Sequence, residues 1–198
     1  MTAPPLTEVL DEARRLGLLG PGPVADHVAH AEGFMAAAPT APRRFLDLGS
    51  GGGVPGLVLA LAWPGAEAVL LDGSERRAAF LRRAVLALEL GGRVMVVAER
   101  AEVVGRAKDW RASFDRVVAR AFGSPAVTAE CAAPFLAVGG DLLVSDPPGG
   151  EDRWPMPALA LLGLVPQPQQ QGTVRRLVQE VTCPGQYPRR RPGRPPLF

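Results

Sequence analysis

The sequence predicts a doubly wound α/β domain: a mostly parallel seven-stranded sheet with helices on both faces, N-terminal helices ahead of it, and an antiparallel edge strand. Three observations point there. Short apolar runs alternate with amphipathic stretches from about residue 43 to 145. The first run ends in Asp47 and opens into a loop in which five of nine residues are glycine (Gly49, Gly51, Gly52, Gly53, Gly56). The closing runs, between Leu164 and Val181, have no proper helix between them, as in an antiparallel hairpin at a sheet edge.

In chain order, Thr7 can cap a helix running to about Leu19, with Val9, Leu10, Ala13, Leu16 and Leu19 at three- and four-residue steps. "GPGP" breaks it, and Val24 to Ala38 reads as a second helix. Arg43 to Leu48 is a buried strand, and the glycine loop leads into a helix from about Pro55 to Trp63. "AVLLD" (68–72) is the second strand. Ser74 then caps "ERRAAFLRRAVLALEL", whose Ala79, Phe80, Val85, Leu86 and Leu90 form an apolar stripe that Gly91 and Gly92 stop. "RVMVVA" (93–98) is the third strand, a polar helical segment lies near 101–108, and "FDRVVARA" (114–121) contains the fourth. Pro125 to Leu136 reads as helix, "GGDLLVSD" as the fifth strand, "PPGGEDRWP" as a loop, and Met156 to Leu162 as a short helix. "TVRRLVQEVT" is a late alternating strand.

At 198 residues the chain suits one sizeable core. The expected organisation is one domain over 1–183, its first 42 residues helical, and a basic Pro/Arg-rich tail over 184–198. No apolar run reaches membrane-spanning length, and the N-terminus lacks the regions of a signal peptide. Cys131 and Cys183 stand far apart without metal-ligand spacing; buried thiols in a reducing cytosol are expected, with a single disulfide the alternative. His27 and His30, without a third ligand, read as a helix face, so no metal is expected. Net charge is +2, yet the segment from Arg175 onward carries +5, leaving −3 for the rest. Such clustering suggests a tail that meets a polyanion.

The glycine loop has three possible ligands. A triphosphate loop requires a Gly-Lys-Ser/Thr ending, and no lysine is near. A dinucleotide pattern can be placed on Gly51, Gly53 and Gly56, but Pro55 interrupts it. The third pattern starts at Asp47: D-x-G-x-G-x-G (Asp47, Gly49, Gly51, Gly53), with Asp72 ending the second strand. That is the arrangement of S-adenosylmethionine (SAM) binding in class I methyltransferases. Glycines there let the backbone pass under a methionine moiety, a helix N-terminus faces its carboxylate, and Asp72 can accept both ribose hydroxyls.

"DLGSGGGVPGLVLAL", "LLDGSERRAAFLRR", "AERAEVV", "FDRVVARAF" and "YPRRRPGRPPL" resemble, in order, the RsmG (GidB) family. These are bacterial 16S ribosomal RNA guanine-N7 methyltransferases acting on the 530 loop. The resemblance covers about residues 44–145 and returns in the tail. It implies a cytoplasmic enzyme with SAM as cofactor and 16S rRNA or the small ribosomal subunit as partner. It also implies that Gly49 and Val54 line the SAM pocket, that Asp72 takes the ribose, and that Ala101 and Glu102 sit beside the adenine. Arg120 would stand near the methionine end and the entrance for guanine, as the catalytic candidate. Arg189, Arg190 and Arg191 would contact RNA phosphates. The chain departs from the family at Ser145 and Asp146, where a lysine is usual, and at "FGSP" after Arg120-Ala121. Those departures keep two alternatives open: a SAM-dependent methyltransferase for another RNA or a small molecule, and a SAM-binding protein without catalysis.

Overall fold

The computed structural model describes residues 5–146, 153–168 and 172–198. Two helices, α1 (Leu6–Arg15) and α2 (Val24–Ala37), precede the sheet. They are followed by β1 (Arg44–Leu48), α3 (Gly56–Ala62), β2 (Glu67–Asp72), α4 (Glu75–Ala87), β3 (Val94–Ala98) and the single turn α5 (Ala101–Val104). Then come β4 (Phe114–Ala119), α6 (Pro125–Ala132), β5 (Leu136–Ser145), α7 (Met156–Ala160), β6 (Leu164–Pro166) and β7 (Val174–Gln179). The strands form one sheet in the order β3-β2-β1-β4-β5-β7-β6. β1 to β5 pair in parallel, while β7 runs antiparallel to both β5 and β6, which is the expected edge hairpin. Most of the "PPGGEDRWP" loop lies outside the described residues.

Helix ends differ from the sequence reading for local reasons. α1 stops at Arg15, because Gly17 takes φ +67° and closes a Schellman turn: Leu18 N–H donates to Ala13 and Gly17 N–H to Arg14. α4 ends through Glu89 at φ 57°, not through the glycine pair, by the same two bonds (Leu90 to Val85, Glu89 to Leu86). Pro134 converts the end of the predicted sixth helix into a 3₁₀ turn, Ala133–Phe135, and β5 begins at Leu136.

Strand periodicity sends side chains to two cores. Leu46 and Leu48 of β1 join Phe114, Phe135 and Trp154 on one face. Phe45 joins Leu57, Phe80 and Leu81 on the other. Each such fully buried side chain stabilises the fold by about 1.5–3 kcal/mol. Cys131 and Cys183 are free, buried thiols, pushed up to about 12 and about 11, chiefly by burial.

The basic C-terminal segment is only partly available to a polyanion. Arg176 donates to Asp141 (2.8 Å), which also takes a bidentate pair from Arg116 across the β4–β5 ladder. Arg175 lies 3.7 Å from Asp146. Residues 184–198 form no helix or strand, yet they are packed onto the domain. The Arg111 guanidinium donates to the carbonyls of Gly105, Cys183, Pro184 and Tyr187 at 2.6–3.1 Å. Tyr187 is buried, and Leu197 and Phe198 lie against the core.

Candidate functional site

The sheet reverses its direction of winding between β1 and β4, and the loops leaving those two strands diverge there. In an open parallel sheet this is where a ligand crevice forms. The loop after β1 is fixed from three sides. The Gly49 and Ser50 amides donate to Leu71 O of β2 (2.8 and 3.0 Å), Gly51 N–H to Asp72 Oδ2 (2.9 Å), and Gly56 N–H to Asp47 Oδ2 (3.0 Å). Gly49, Gly51 and Gly53 all have φ between +56° and +92°. A Cβ on Gly56 would stand 2.3 Å from Asp47 Oδ2, and one on Gly49 2.6 Å from the Phe122 ring. Glycine is therefore required by backbone geometry at the first three positions and by close packing at Gly56.

Two cavities open at the C-terminal ends of the strands. One, of about 340 Å³, has Gly49, Asp72, Ser74, Arg77 and Ala101 among its walls. The other, of about 500 Å³, is walled by residues including His27, His30, Arg120, Ser145 and Trp154. They share Ala121 and Phe122, the two residues after Arg120. Ala121 holds φ 53°, which turns the chain sharply at that junction.

Of the residues expected at the cofactor, Gly49, Asp72 and Ala101 line the smaller cavity. Asp72 accepts Gly51 N–H on one oxygen and Ser74 N–H on the other (2.8 Å), so its orientation is fixed toward that space. The others are placed differently. Gly51 and Gly53 shape the loop from behind. Val54 packs with Leu10, Val24, Ala31 and Val58, because α1 and α2 fold over that side of the loop. The Glu102 carboxylate is buried against Arg100, whose Nε donates at 2.6 Å, and it does not line the cavity. Arg120 lies in the larger cavity. Arg189 donates to the fully buried Glu130 through its main chain and its guanidinium, so phosphate contact by this side chain is replaced by an internal ion pair. Arg190 and Arg191 are exposed.

Asp47 lies beneath the loop, 1% exposed, and burial pushes its carboxyl up to about 7. Its Oδ1 has no hydrogen-bond partner, and neither has the buried Nη1 of Arg120. Each feels the other's charge, yet no ion pair joins them. Burial holds the Arg120 guanidinium below its usual value, with Asp47 acting in the opposite sense. Arg120 Nη2 donates to His27 Nδ1 at 2.5 Å, and His27 Nε2 meets Gly20 O at 3.1 Å. These partners assign a neutral His27 carrying its proton on Nε2. His30 contacts Ser145 Oγ at 3.0 Å, and burial, then the Arg120 charge, lower its pKa. Ser145 thus faces the larger cavity in the company of a histidine.

Sequence reasoning missed Phe122, the wall between the cavities, and Trp154, whose indole donates to Asp146 at 3.0 Å. A bulky residue directly after Arg120-Ala121 was the available signal. Among the described residues no group of three or more His, Cys, Asp or Glu side chains could hold a metal, and no helix is long and apolar enough to cross a membrane.

This sheet order, with its glycine loop after β1 and an acid ending β2, defines a class I SAM-dependent methyltransferase. Solved structures share the fold: Rv0187 from MTB, solved with its cofactor bound, superposes with a TM-score of 0.62 at 18% identity over 88% of this chain and 89% of that one. An O-methyltransferase family protein from Burkholderia thailandensis gives 0.55 at 17% identity, over 78% and 55%. The GidB profile, described as rRNA small subunit methyltransferase G, matches residues 24–146, and the chain belongs to that family. Relatives named ribosomal RNA small subunit methyltransferase G include one from Moorella thermoacetica, 36% identical over 82% of this chain and 71% of its own. Another, from Prochlorococcus marinus strain NATL1A, is 34% identical over 80% and 69%.

Proposed function

We propose that this chain transfers a methyl group from SAM to N7 of a guanine in the 530 loop of 16S ribosomal RNA. The observation that carries the reading is the pair of cavities meeting at Ala121–Phe122. A cofactor in one and a base in the other would meet at that junction. The smaller cavity fits SAM. Asp72 presents oriented acceptors for ribose hydroxyls, Ala101 offers a surface for adenine, and Gly49 lets the main chain approach closely. The orphaned Nη1 of Arg120, which lines the larger cavity next to the shared Ala121, suits the carboxylate of a methionine end that reaches that junction. Gly51, Gly53 and Val54 act by holding the loop, and Glu102 by its contact with Arg100.

When bound, SAM supplies a methyl group already activated by its sulfonium. Guanine N7 carries a lone pair in the ring plane and loses no proton on attack, so the protein need not supply a base. Its work is alignment: fixing the base against the methyl can provide most of the acceleration. His27 serves this by holding Arg120 in place. Arg190, Arg191 and Arg194, exposed on the docked tail, are suited to phosphate contact that sets affinity and register.

The test is a labelled-methyl assay on ribosomal RNA from a strain lacking this protein, followed by mapping of 7-methylguanine. Incorporation at one guanine of the 530 loop is expected. Label on another RNA only, or on none, sinks the reading.

A further inference from the structure

We infer that Asp26 reads the Watson–Crick edge of the target guanine, its two carboxylate oxygens accepting the N1–H and the N2 amino group. This rests on the guanine-N7 reading above. Asp26 stands in the first turn of α2, next to His27, and lines the larger cavity but not the smaller one. It is the one carboxylate among the described residues of that lining, it is exposed, and its carboxylate has no hydrogen bond or ion pair among the described residues. The other charges among the described lining residues, Arg120 and Arg153, are cations suited to RNA. The α2 dipole favours an acid at this position, and the carboxylate is free to accept a contact from a base in the cavity.

The chemistry of the base supplies that contact. In a purine, N7 lies on the Hoogsteen edge, which adjoins the Watson–Crick edge at C6 and points in a different direction. With N7 directed at the junction of the cavities, Ala121 and Phe122, the Watson–Crick edge is turned aside from it, toward lining that the cavities do not share. Asp26 belongs to that part. Guanine offers two adjacent donors there, which two carboxylate oxygens accept side by side. Adenine, which also has an N7, would set the lone pair of its N1 against the carboxylate. Asp26 thus separates the two purines at an edge other than the one that reacts.

The experiment measures methyl transfer to 16S RNA from a strain lacking this protein, with GMP and IMP as competing inhibitors. Inosine differs from guanosine only in lacking the N2 amino group. GMP is expected to inhibit the wild-type protein about 10-fold more strongly than IMP. In Asp26→Ala the two become equal, and kcat/KM for RNA falls about 10-fold or more while the Kd for SAM is unchanged. Asp26→Asn, which keeps one acceptor, falls between. Equal potency of the two nucleotides on the wild-type protein, whether both inhibit or neither does, overturns the assignment. So does a GMP preference that survives in Asp26→Ala. If wild-type protein forms no 7-methylguanine at all, the underlying function and this inference fall together; if it does, failure of the nucleotide comparison removes the inference alone.

Discussion

Glu130 is fully buried in α6 and accepts three hydrogen bonds from Arg189, one from its main-chain N–H and two from its guanidinium, at 2.7–2.8 Å. The contact fastens a Pro/Arg-rich tail to a helix 59 residues earlier in the chain. It divides the terminal arginines into one that builds structure and others, Arg190 and Arg191, left on the surface.

Arg189→Ala strands the Glu130 carboxylate without its guanidinium partner. Removing one member of a buried pair costs about 3–5 kcal/mol, so thermal unfolding should show a large drop in Tm. The double variant Arg190→Ala/Arg191→Ala should unfold like wild type. Its RNA affinity should be lower and less salt-dependent, with the slope of log K against log [salt] reduced by about 1–2. Salt titrations of RNA binding distinguish the two variants.

Gly56→Ala tests the close packing under the loop. The added methyl meets Asp47 Oδ2 at 2.3 Å and Leu70 Cδ2 at 2.5 Å, both held in the core. Overpacking of this kind costs about 1–3 kcal/mol or more, and the loss of Gly56 N–H from Asp47 would add to it. Gly91→Ala is the control: its Cβ has no neighbour nearer than 4.0 Å, so urea unfolding should place it within about 0.5 kcal/mol of wild type.

The contrast between those glycines shows what the sequence makes legible. The D-x-G-x-G-x-G pattern reads from sequence because each part is a local requirement: positive φ at Gly49, Gly51 and Gly53, and an acid at the strand end. The parallel pairing of β1 to β5 reads for a similar reason, since alternation of strand and helix is itself a local pattern. Val54 does not read, because its neighbours Leu10 and Val24 come from helices whose packing only the fold decides. Glu102 and Arg189 carry charges that looked free for a ligand. Each is spent on a partner, Arg100 in one case and Glu130 in the other, and composition gives no sign of the pairing. The wall at Phe122 depends on the turn at Ala121, whose positive φ no residue preference would suggest.

Asp47 predicts an unusual pH dependence. Its folded pKa of about 7 lies above the ordinary carboxylate value, so the folded state holds this proton more tightly than the unfolded chain does. The stability it contributes is complete below about pH 4 and is lost as pH rises through about 7. Asp47→Asn should remove that decline, leaving the other groups' titration in place. Urea midpoints of the two proteins between pH 4 and 8 should therefore converge at the acid end and separate toward neutrality. Parallel curves would show that Asp47 titrates normally.

The Arg120–His27 contact predicts a coupled loss of activity. Arg120 Nη2 is held by His27 Nδ1, and His27 is held in turn by Gly20 O, so the histidine works through the arginine. Arg120→Ala removes a buried, charge-assisted donor and should lower kcat/KM by about 100-fold, on the scale of losing a buried charged partner. His27→Ala leaves the guanidinium present but unanchored, and a loss of about 10-fold is expected, in the range of a hydrogen bond to a charged group. Because the two act as one unit, the double variant should be no worse than Arg120→Ala alone, a coupling that a double-mutant cycle measures directly. His27→Gln, which can present an acceptor to Arg120 but lacks the imidazole, should recover part of the single loss. Losses that multiply in the double variant would mean that His27 meets the substrate itself.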